Sequence, residues 1–209
     1  LPSIHLHIKH TMFNATHFIF KCQHCSIKFE NIRYTGVPNV LYCKAIICIQ
    51  KQERYQWFRT RNKFQLDQAF ISDVLSEKSP PFIGVYLSNV VIKLCHSYFM
   101  NMSQVIVFNA KEKNHYVHII QLSLFNNSFR SCQSHKNGGV INIIIVKNLV
   151  VLANFTIISN RFYDNFAIQG GVAYVIAKQY PQFYASRVFV SFKNCFFINN
   201  VASKQAGSL

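Results

Sequence analysis

The feature that most constrains this chain is a short theme that occurs three times between Leu122 and Leu209. Each copy pairs a tetrapeptide that begins with Phe with a glycine-containing one: F-R-S-C with G-G-V-I, F-Y-D-N with G-G-V-A, and F-F-I-N with A-G-S-L. The leading residues Phe129, Phe162 and Phe196 are 33 and 34 residues apart. A fixed period of this length is the signature of stacked structural repeats. The runs between the motifs are short and rich in β-branched residues, so the sequence predicts a parallel β-helix.

Stacking places equivalent residues of successive repeats above one another. We therefore expect Phe129, Phe162 and Phe196 to form an aromatic column inside the solenoid. Further columns are predicted for an Asn ladder at a turn (Asn127, Asn160, Asn194), for a second polar position (Cys132, Asn165, Asn199) and for a glycine corner (Gly138, Gly139, Gly170, Gly171). All of these are structural positions, and the alternative fold is a β-sandwich in which the motifs coincide by chance.

The remainder of the chain suggests one continuous domain with an interruption. Residues 1–50 and 82–209 have the texture of β-helix rungs, whereas residues 51–81 read as an irregular or partly helical insert. The most apolar segment, Val140–Ile158, is interrupted by Asn and Lys, which favours buried strands over a membrane span. The chain begins without Met and ends within the third glycine motif, so we expect it to be a fragment of a longer protein.

Positive charge is the main functional signal in the composition. The chain has 22 Lys and Arg against 7 Asp and Glu, a net charge of +15, which attracts anionic glycans, membranes or nucleic acid. The candidate contact residues lie in the insert and are Arg54, Trp57, Arg59, Arg61 and Lys63. Bases interleaved with aromatic residues suit a nucleic-acid backbone or an anionic membrane. The alternative is a segment that packs its aromatic rings on the protein and points its charges to water.

Seven cysteines leave several interpretations open. Cys22, Cys25, Cys43 and Cys48 have a spacing that makes them weak candidates for a zinc site. Because Cys25 and Cys48 are 23 residues apart, about one compact rung, they could instead be stacked cysteines, either packed as small apolar groups or oxidised. His5 and His7 share a face of a strand that alternates polar and apolar residues, and solvent contact is favoured there over metal binding.

Other chemistry-bearing motifs are sparse. Four N-x-S/T sequons start at Asn14, Asn101, Asn126 and Asn154, and Asn126 is expected to be partly buried because it lies in the repeat motif. Enzymes built on β-helices need clustered acids, and the only Asp residue within a motif is Asp164, which has no acidic equivalent in the other copies. No catalytic residue, metal or cofactor is therefore assigned.

The paired motifs resemble a known family. Phe162–Asn165 and Phe196–Asn199 match the F-x-x-N motif of the polymorphic outer membrane protein repeats, and Gly138–Ile141 and Gly170–Ala173 are similar to the G-G-A-(I/L/V) motif. Similar repeats occur in large surface proteins of protists. The resemblance covers about 85 residues. It implies a right-handed, pectin-lyase-like β-helix at the cell surface, used as an adhesin or structural passenger.

The expected function is binding or structure rather than catalysis. The basic faces would contact an acidic glycan or an anionic surface outside the cell, and other segments of the same longer chain are expected partners. The alternatives are a carbohydrate-active enzyme whose site lies mostly outside this fragment, and a nucleic-acid or membrane-binding module centred on the basic insert.

Overall fold

The computed structural model describes residues 4–16, 18–21, 25–36, 46–50, 62–74, 80–86, 90–110, 117–146, 150–178 and 187–205. All regular structure in these residues is β-strand. Every pairing between strands is parallel. Among the described residues there is no apolar helix of the length needed to cross a bilayer. The chain is a parallel β-solenoid, as the repeat pattern predicts; its handedness stays a prediction.

In the described residues three parallel sheets form the walls of the solenoid, and each of the first six rungs contributes one strand to each sheet. Sheet A has seven strands: β1 (Ile4–Lys9), β4 (Cys25–Glu30), β7 (Asn62–Asp67), β10 (Val90–Cys95), β13 (Val117–Phe125), β16 (Val150–Ile158) and β20 (Arg187–Lys193). Sheet C has six: β3 (Phe18–Lys21), β6 (Ile47–Gln50), β9 (Ile83–Tyr86), β12 (Ile106–Ala110), β15 (Ile141–Val146) and β19 (Ala173–Lys178).

Sheet B lies between these two along the chain. Its main row comprises β2 (Met12–Asn14), β5 (Arg33–Thr35), β8 (Phe70–Val74), β11 (Tyr98–Met102), β14 (Ser128–Asn137), β17 (Arg161–Tyr163) and β21 (Phe196–Ile198). The second half of β14 bends away and pairs with β18 (Phe166–Gln169), which in turn pairs with β22 (Val201–Gln205). Each of the first six rungs therefore runs from sheet A through sheet B to sheet C, and the next rung begins in sheet A.

Left-handed residues make the corners on either side of the short sheet-B strands. Between sheets A and B the corner residues have φ from 47° to 55°: His10, Asn31, Gln68, His96, Asn126, Ser159 and Asn194. The second corner has the same conformation at Ala15, Asp73, Asn101, Ser131, Asp164 and Asn199, with Gly36 at φ 80°. Asn and Asp tolerate this conformation better than most residues, so their frequency here has a backbone cause.

The core fills the space between the three sheets with alternate residues from every strand. On β4 the residues Cys25, Ile27 and Phe29 point inward and are buried, whereas the intervening side chains face outward. The apolar segment Val140–Ile158 supplies β15 and β16, whose inward residues are buried. This result agrees with the prediction of buried strands in that segment.

The predicted insert over residues 51–81 is wrong for most of its described part. Residues 62–67 and 70–74 form β7 and β8, and both strands pair in register with the rungs on either side. The polar residues of this segment suggested an irregular loop. In the structure Lys63, Gln65 and Asp67 are instead the outward residues of a half-buried strand. Residues 51–61 and 75–79 lie outside the described part of the chain, and the first of these segments connects β6 in sheet C with β7 in sheet A.

Candidate functional site

The predicted aromatic column exists, but one of its predicted members is wrong. The rings of Phe99, Phe129, Phe162 and Phe197 stack along the axis, with centroids 5.0, 5.1 and 5.0 Å apart and planes within 11° of parallel. Phe162 is fully buried, and its register partner on the next strand is Phe197. Phe196 is instead 59% exposed on the outer face of sheet B, because adjacent residues of a strand point to opposite faces.

The first Asn ladder is confirmed for Asn127 and Asn160. The side-chain oxygen of Asn160 accepts hydrogen bonds from the backbone N–H of Asn127 (2.9 Å) and from its Nδ2 (3.0 Å). Asn160 Nδ2 donates to the carbonyl of Leu124 at 2.9 Å, so the amide joins two rungs. The third predicted member, Asn194, is wrong: it is the exposed corner residue, and the ladder position of that rung holds Cys195.

The second ladder contains Cys132, Asn165 and Asn200. Asn165 Oδ1 accepts from the backbone N–H of Cys132 at 2.9 Å, and Asn165 Nδ2 donates to Asn200 Oδ1 at 2.8 Å. The predicted member Asn199 is again wrong by one residue, since it lies at the exposed second corner, where its Nδ2 is 3.3 Å from Asp164 Oδ1. Complete burial raises the pKa of the Cys132 thiol, so this cysteine stays protonated within the ladder.

The glycine corner is confirmed as a place of close backbone approach. Gly138 and Gly170 have φ of 63° and 57°. A Cβ on Gly139 would lie 2.2 Å from the carbonyl oxygen of Gly171 and 2.9 Å from that of Phe166. Gly138, Gly139 and Gly170 therefore allow successive rungs to stack closely at their turns.

The outer face of sheet A carries a group of basic side chains on neighbouring strands. Its first four strands, β1, β4, β7 and β10, present a group of basic side chains that we call the lysine face: His5, His7, Lys9, Lys28, Lys63 and Lys93. Lys28, Lys63 and Lys93 stand on three successive strands, which lie about 4.8 Å apart in a sheet. Of the five contact residues predicted around the insert, Lys63 is the one in the described chain, and it is exposed. Arg54, Trp57, Arg59 and Arg61 lie outside the described residues.

Two acids on this outer face are already engaged. Glu30 accepts from Lys28 Nζ at 2.6 Å and contacts His7 Nε2 at 2.9 Å. These hydrogen bonds, Lys28 first, hold the pKa of Glu30 at about 2, well below its ordinary value of 4.5. Asp67 lies 3.2 Å from His96 Nδ1. In the described residues no ion pair engages Lys63 or Lys93, so their charges remain available to an anionic partner.

The outer face of sheet B is basic and aromatic. Phe70 and Tyr98 stack in parallel there, with centroids 5.4 Å apart. Arg33 and Arg161 are exposed in the same column of side chains. Arg130 is the exception among the arginines of this face, because its Nε lies 3.7 Å from Asp164 Oδ2.

Asp164 lies at a corner, not in a cluster of acids. Its carboxylate contacts Arg130 and Asn199, and its backbone has φ 55°, a position that Asp tolerates. The described residues contain no group of three His, Cys, Asp or Glu side chains that could hold a metal. Asp164 thus has the left-handed backbone of the other corner residues of the solenoid.

The cysteine predictions have mixed outcomes. Cys25 is disulfide-bonded, so it is not a thiolate ligand for zinc and not a packed free thiol. The predicted stacking of Cys25 on Cys48 is wrong, because Cys25 belongs to sheet A and Cys48 to sheet C. Cys22 and Cys43 lie outside the described residues. Among the cysteines in the described part of the chain, Cys95, Cys132 and Cys195 are free.

The sequence interpretation missed the repeats in the first half of the chain. Phe99 occupies the same column as Phe129, and Ser97 occupies the ladder position of Asn127, whose Oδ1 accepts from the Ser97 N–H at 3.0 Å. In the preceding rung Ala69 holds that position and donates its N–H to Ser97 Oγ at 3.1 Å. Phe99–Met102 has the Phe of the motif without its final Asn, so only the Phe could have signalled this copy.

Comparison with protein-family models, with curated proteins and with solved structures finds no significant match to this chain.

Proposed function

We propose that this chain is a non-enzymatic, extracellular solenoid that binds an acidic glycan through the lysine face. It would act as an adhesin or as a structural passenger, as the resemblance to polymorphic outer membrane protein repeats and to the pectin-lyase-like β-helix implies. The observation that carries the proposal is a pair of exposed cations on adjacent strands of sheet A, Lys63 and Lys93, which no ion pair neutralises in the described residues. Carboxylate and sulfate groups repeat along an acidic polysaccharide, so its charges can meet both of these side chains at once.

Charge distribution supports the choice of face. Glu30 and Asp67 are held by local partners, and Lys63 and Lys93 are exposed without an ion pair in the described chain. The segment 51–61, with Lys51, Arg54, Arg59 and Arg61 in its sequence, leads directly into β7 and hence to Lys63. The net charge of +15 steers polyanions towards the molecule as a whole.

The disulfide at Cys25 supports an extracellular location. Stable disulfides form mainly in oxidising compartments such as the secretory pathway or the periplasm. A rigid solenoid with repeated outer faces also suits a display role, since rungs can be added without changing the local structure of existing ones.

The test is binding to immobilised heparin, a sulfated uronic-acid polymer, as a function of salt. Lys63→Gln with Lys93→Gln removes two charges from the lysine face, and Arg33→Gln with Arg161→Gln removes two from sheet B as a matched control. At about 1 kcal/mol per basic residue near an anionic surface, the lysine pair should weaken binding roughly 10- to 30-fold, and the arginine pair should have a much smaller effect.

The salt dependence of binding and assays for other activities define the results that would contradict this proposal. Binding through the lysine face must weaken as ionic strength rises, because exposed charges are screened. Equal losses in both double variants would contradict a specific face. Release of unsaturated or reducing sugar ends, abolished by Asp164→Asn, would replace the proposal with a carbohydrate-active enzyme. Oligonucleotide binding that is lost on replacing Arg59, Arg61 and Lys63 would favour the nucleic-acid alternative.

A further inference from the structure

The four sequon asparagines share a property that most of the other described asparagines lack. Asn14, Asn101, Asn126 and Asn154 are all exposed. Of the ten other Asn residues whose side chains are described, three are exposed: Asn31, Asn194 and Asn199. The expectation that Asn126 is partly buried is therefore wrong. Of the five buried asparagines in the described residues, three occupy the ladders (Asn127, Asn160 and Asn165), and no sequon begins at a ladder position.

Asn154 is the sequon whose position is most unusual. It lies on β16, where Ala153 and Phe155 point into the core and Asn154 itself points outward and is exposed. No backbone requirement explains an Asn at this point, because its backbone is strand rather than a left-handed corner. Strand interiors are depleted in Asn, so the residue has no structural reason of the kind that Asn101 and Asn126 have.

Asn154 lies on the open outer face of sheet A, where its neighbours are partly polar, such as Gln121 and Arg187, and partly apolar. Three exposed side chains near Asn154 on this face, which we call the apolar patch, come from β13, β16 and β20: Ile119 (44% exposed), Leu152 (41%) and Phe189 (63%). Phe189 is the register partner of Asn154 on the neighbouring strand, and Leu152 precedes it by two residues on the same face. Exposed apolar groups gathered on one sheet face form a surface that something normally covers.

We propose that Asn154 is an N-glycosylation site whose oligosaccharide covers the apolar patch. The inference rests on the extracellular location proposed above. In the reaction the amide Nδ2 of Asn154 bonds to the anomeric carbon of an oligosaccharide carried on a lipid diphosphate. The bond between that carbon and the diphosphate breaks, the lipid diphosphate leaves, and the amide loses one proton to the transferase.

Thr156 completes the sequon on the same face of the strand. It lies two residues beyond Asn154 and is partly buried. A sugar attached at Asn154 begins beside the ring of Phe189, and the C–H faces of hexoses pack against aromatic rings. The lysine face occupies the first four strands of sheet A, so the glycan and the proposed polyanion contacts use different halves of one sheet.

The experiment is secretion of the full chain from a eukaryotic host, followed by digestion with a peptide N-glycosidase and peptide mass spectrometry. Most molecules should carry an oligosaccharide at Asn154, which the enzyme removes while converting that Asn to Asp. Asn154→Gln and Thr156→Ala should each abolish it, whereas Thr156→Ser keeps the sequon and should retain it. An unmodified Asn154 in the secreted, folded wild-type protein would overturn the proposal.

A second readout tests the covering role. Enzymatic removal of the glycan from folded protein should expose the apolar patch and increase the binding of a hydrophobic dye severalfold. The same treatment of a Phe189→Ser variant should give a smaller increase. No change in dye binding on deglycosylation would overturn the covering role. Heparin binding by unglycosylated protein is measured separately, so failure of the glycan proposal and failure of the lysine-face proposal are distinguishable.

Discussion

The last two rungs carry nearly the same motif and place it one residue apart. In the rung of β16 to β19, Phe162 is inside and Asn165 is in the ladder. In the rung of β20 to β22, both Phe196–Asn199 and Phe197–Asn200 fit F-x-x-N, and the structure uses the second. A shift of one residue moves every side chain of a strand to the opposite face.

The difference arises from the connections between rungs. Ladder partners are separated by 28, 30, 33 and 35 residues in the rungs from Ala69 onward, whereas Cys25 and Asn62 in earlier rungs are 37 apart, so the period varies from rung to rung. Each rung absorbs the added residues in the connections between its strands, while the strands keep their register. The sequence spacing therefore predicts the order of the motifs. It does not predict which residue of the Phe196-Phe197 pair points into the core.

The largest expected difference in stability is between the variants Phe162→Ala and Phe196→Ala. Phe162→Ala removes a fully buried ring from the stacked column and should lower the free energy of unfolding by about 3–5 kcal/mol. Phe196→Ala removes an exposed ring and should change it by less than about 0.5 kcal/mol. Chemical denaturation of the two variants measures both values, and similar losses would contradict the assignment of faces.

A smaller difference in stability is expected between the variants Asn160→Ala and Asn194→Gly. Asn160→Ala leaves the N–H of Asn127 and the carbonyl of Leu124 without their buried partner, which should cost about 1–3 kcal/mol. Asn194→Gly keeps the left-handed corner accessible and should stay within about 0.5 kcal/mol of wild type. Thermal unfolding measures both variants. A larger loss of stability for Asn194→Gly than for Asn160→Ala would contradict the assignment of Asn160 to the ladder.

The smallest expected effect is a pH dependence at Glu30. Its pKa in the folded protein is about 2, below its ordinary value of 4.5, so the ionised form is stabilised by folding. This contribution is complete above about pH 4.5 and is lost as the pH falls towards about 2. The difference in stability between wild type and Glu30→Gln should therefore shrink across that window, and a difference that grows on acidification would contradict the contacts with Lys28 and His7.

Much of the fold was predictable from the sequence, because solenoid rungs repeat their chemistry. The parallel architecture, the stack of Phe129 on Phe162 and the pairing of Asn127 with Asn160 all follow from the motif spacing. The early rungs were hidden because Ser97 and Ala69 replace Asn in the ladder, and a backbone N–H can bond to several kinds of acceptor.

The candidate site was less predictable. The cations of the lysine face are spread along the sequence from His5 to Lys93, and only the register of sheet A brings them onto one face. Because the basic residues are scattered along the sequence, the sequence alone indicates a generally basic surface and not one basic face. The apolar patch around Asn154 has the same origin, since Leu152 and Phe189 belong to different rungs.

The most direct test of the register is a pair of double-mutant cycles on the last two rungs. Phe162 and Phe197 stack at 5.0 Å, so Phe162→Leu combined with Phe197→Leu should show a coupling energy of about 0.5–1.5 kcal/mol. Phe162→Leu combined with Phe196→Leu should show none, because the two rings lie on opposite faces of the wall. Coupling of Phe162 to Phe196 and not to Phe197 would contradict the register on which the lysine face, the ladders and the position of Asn154 all depend.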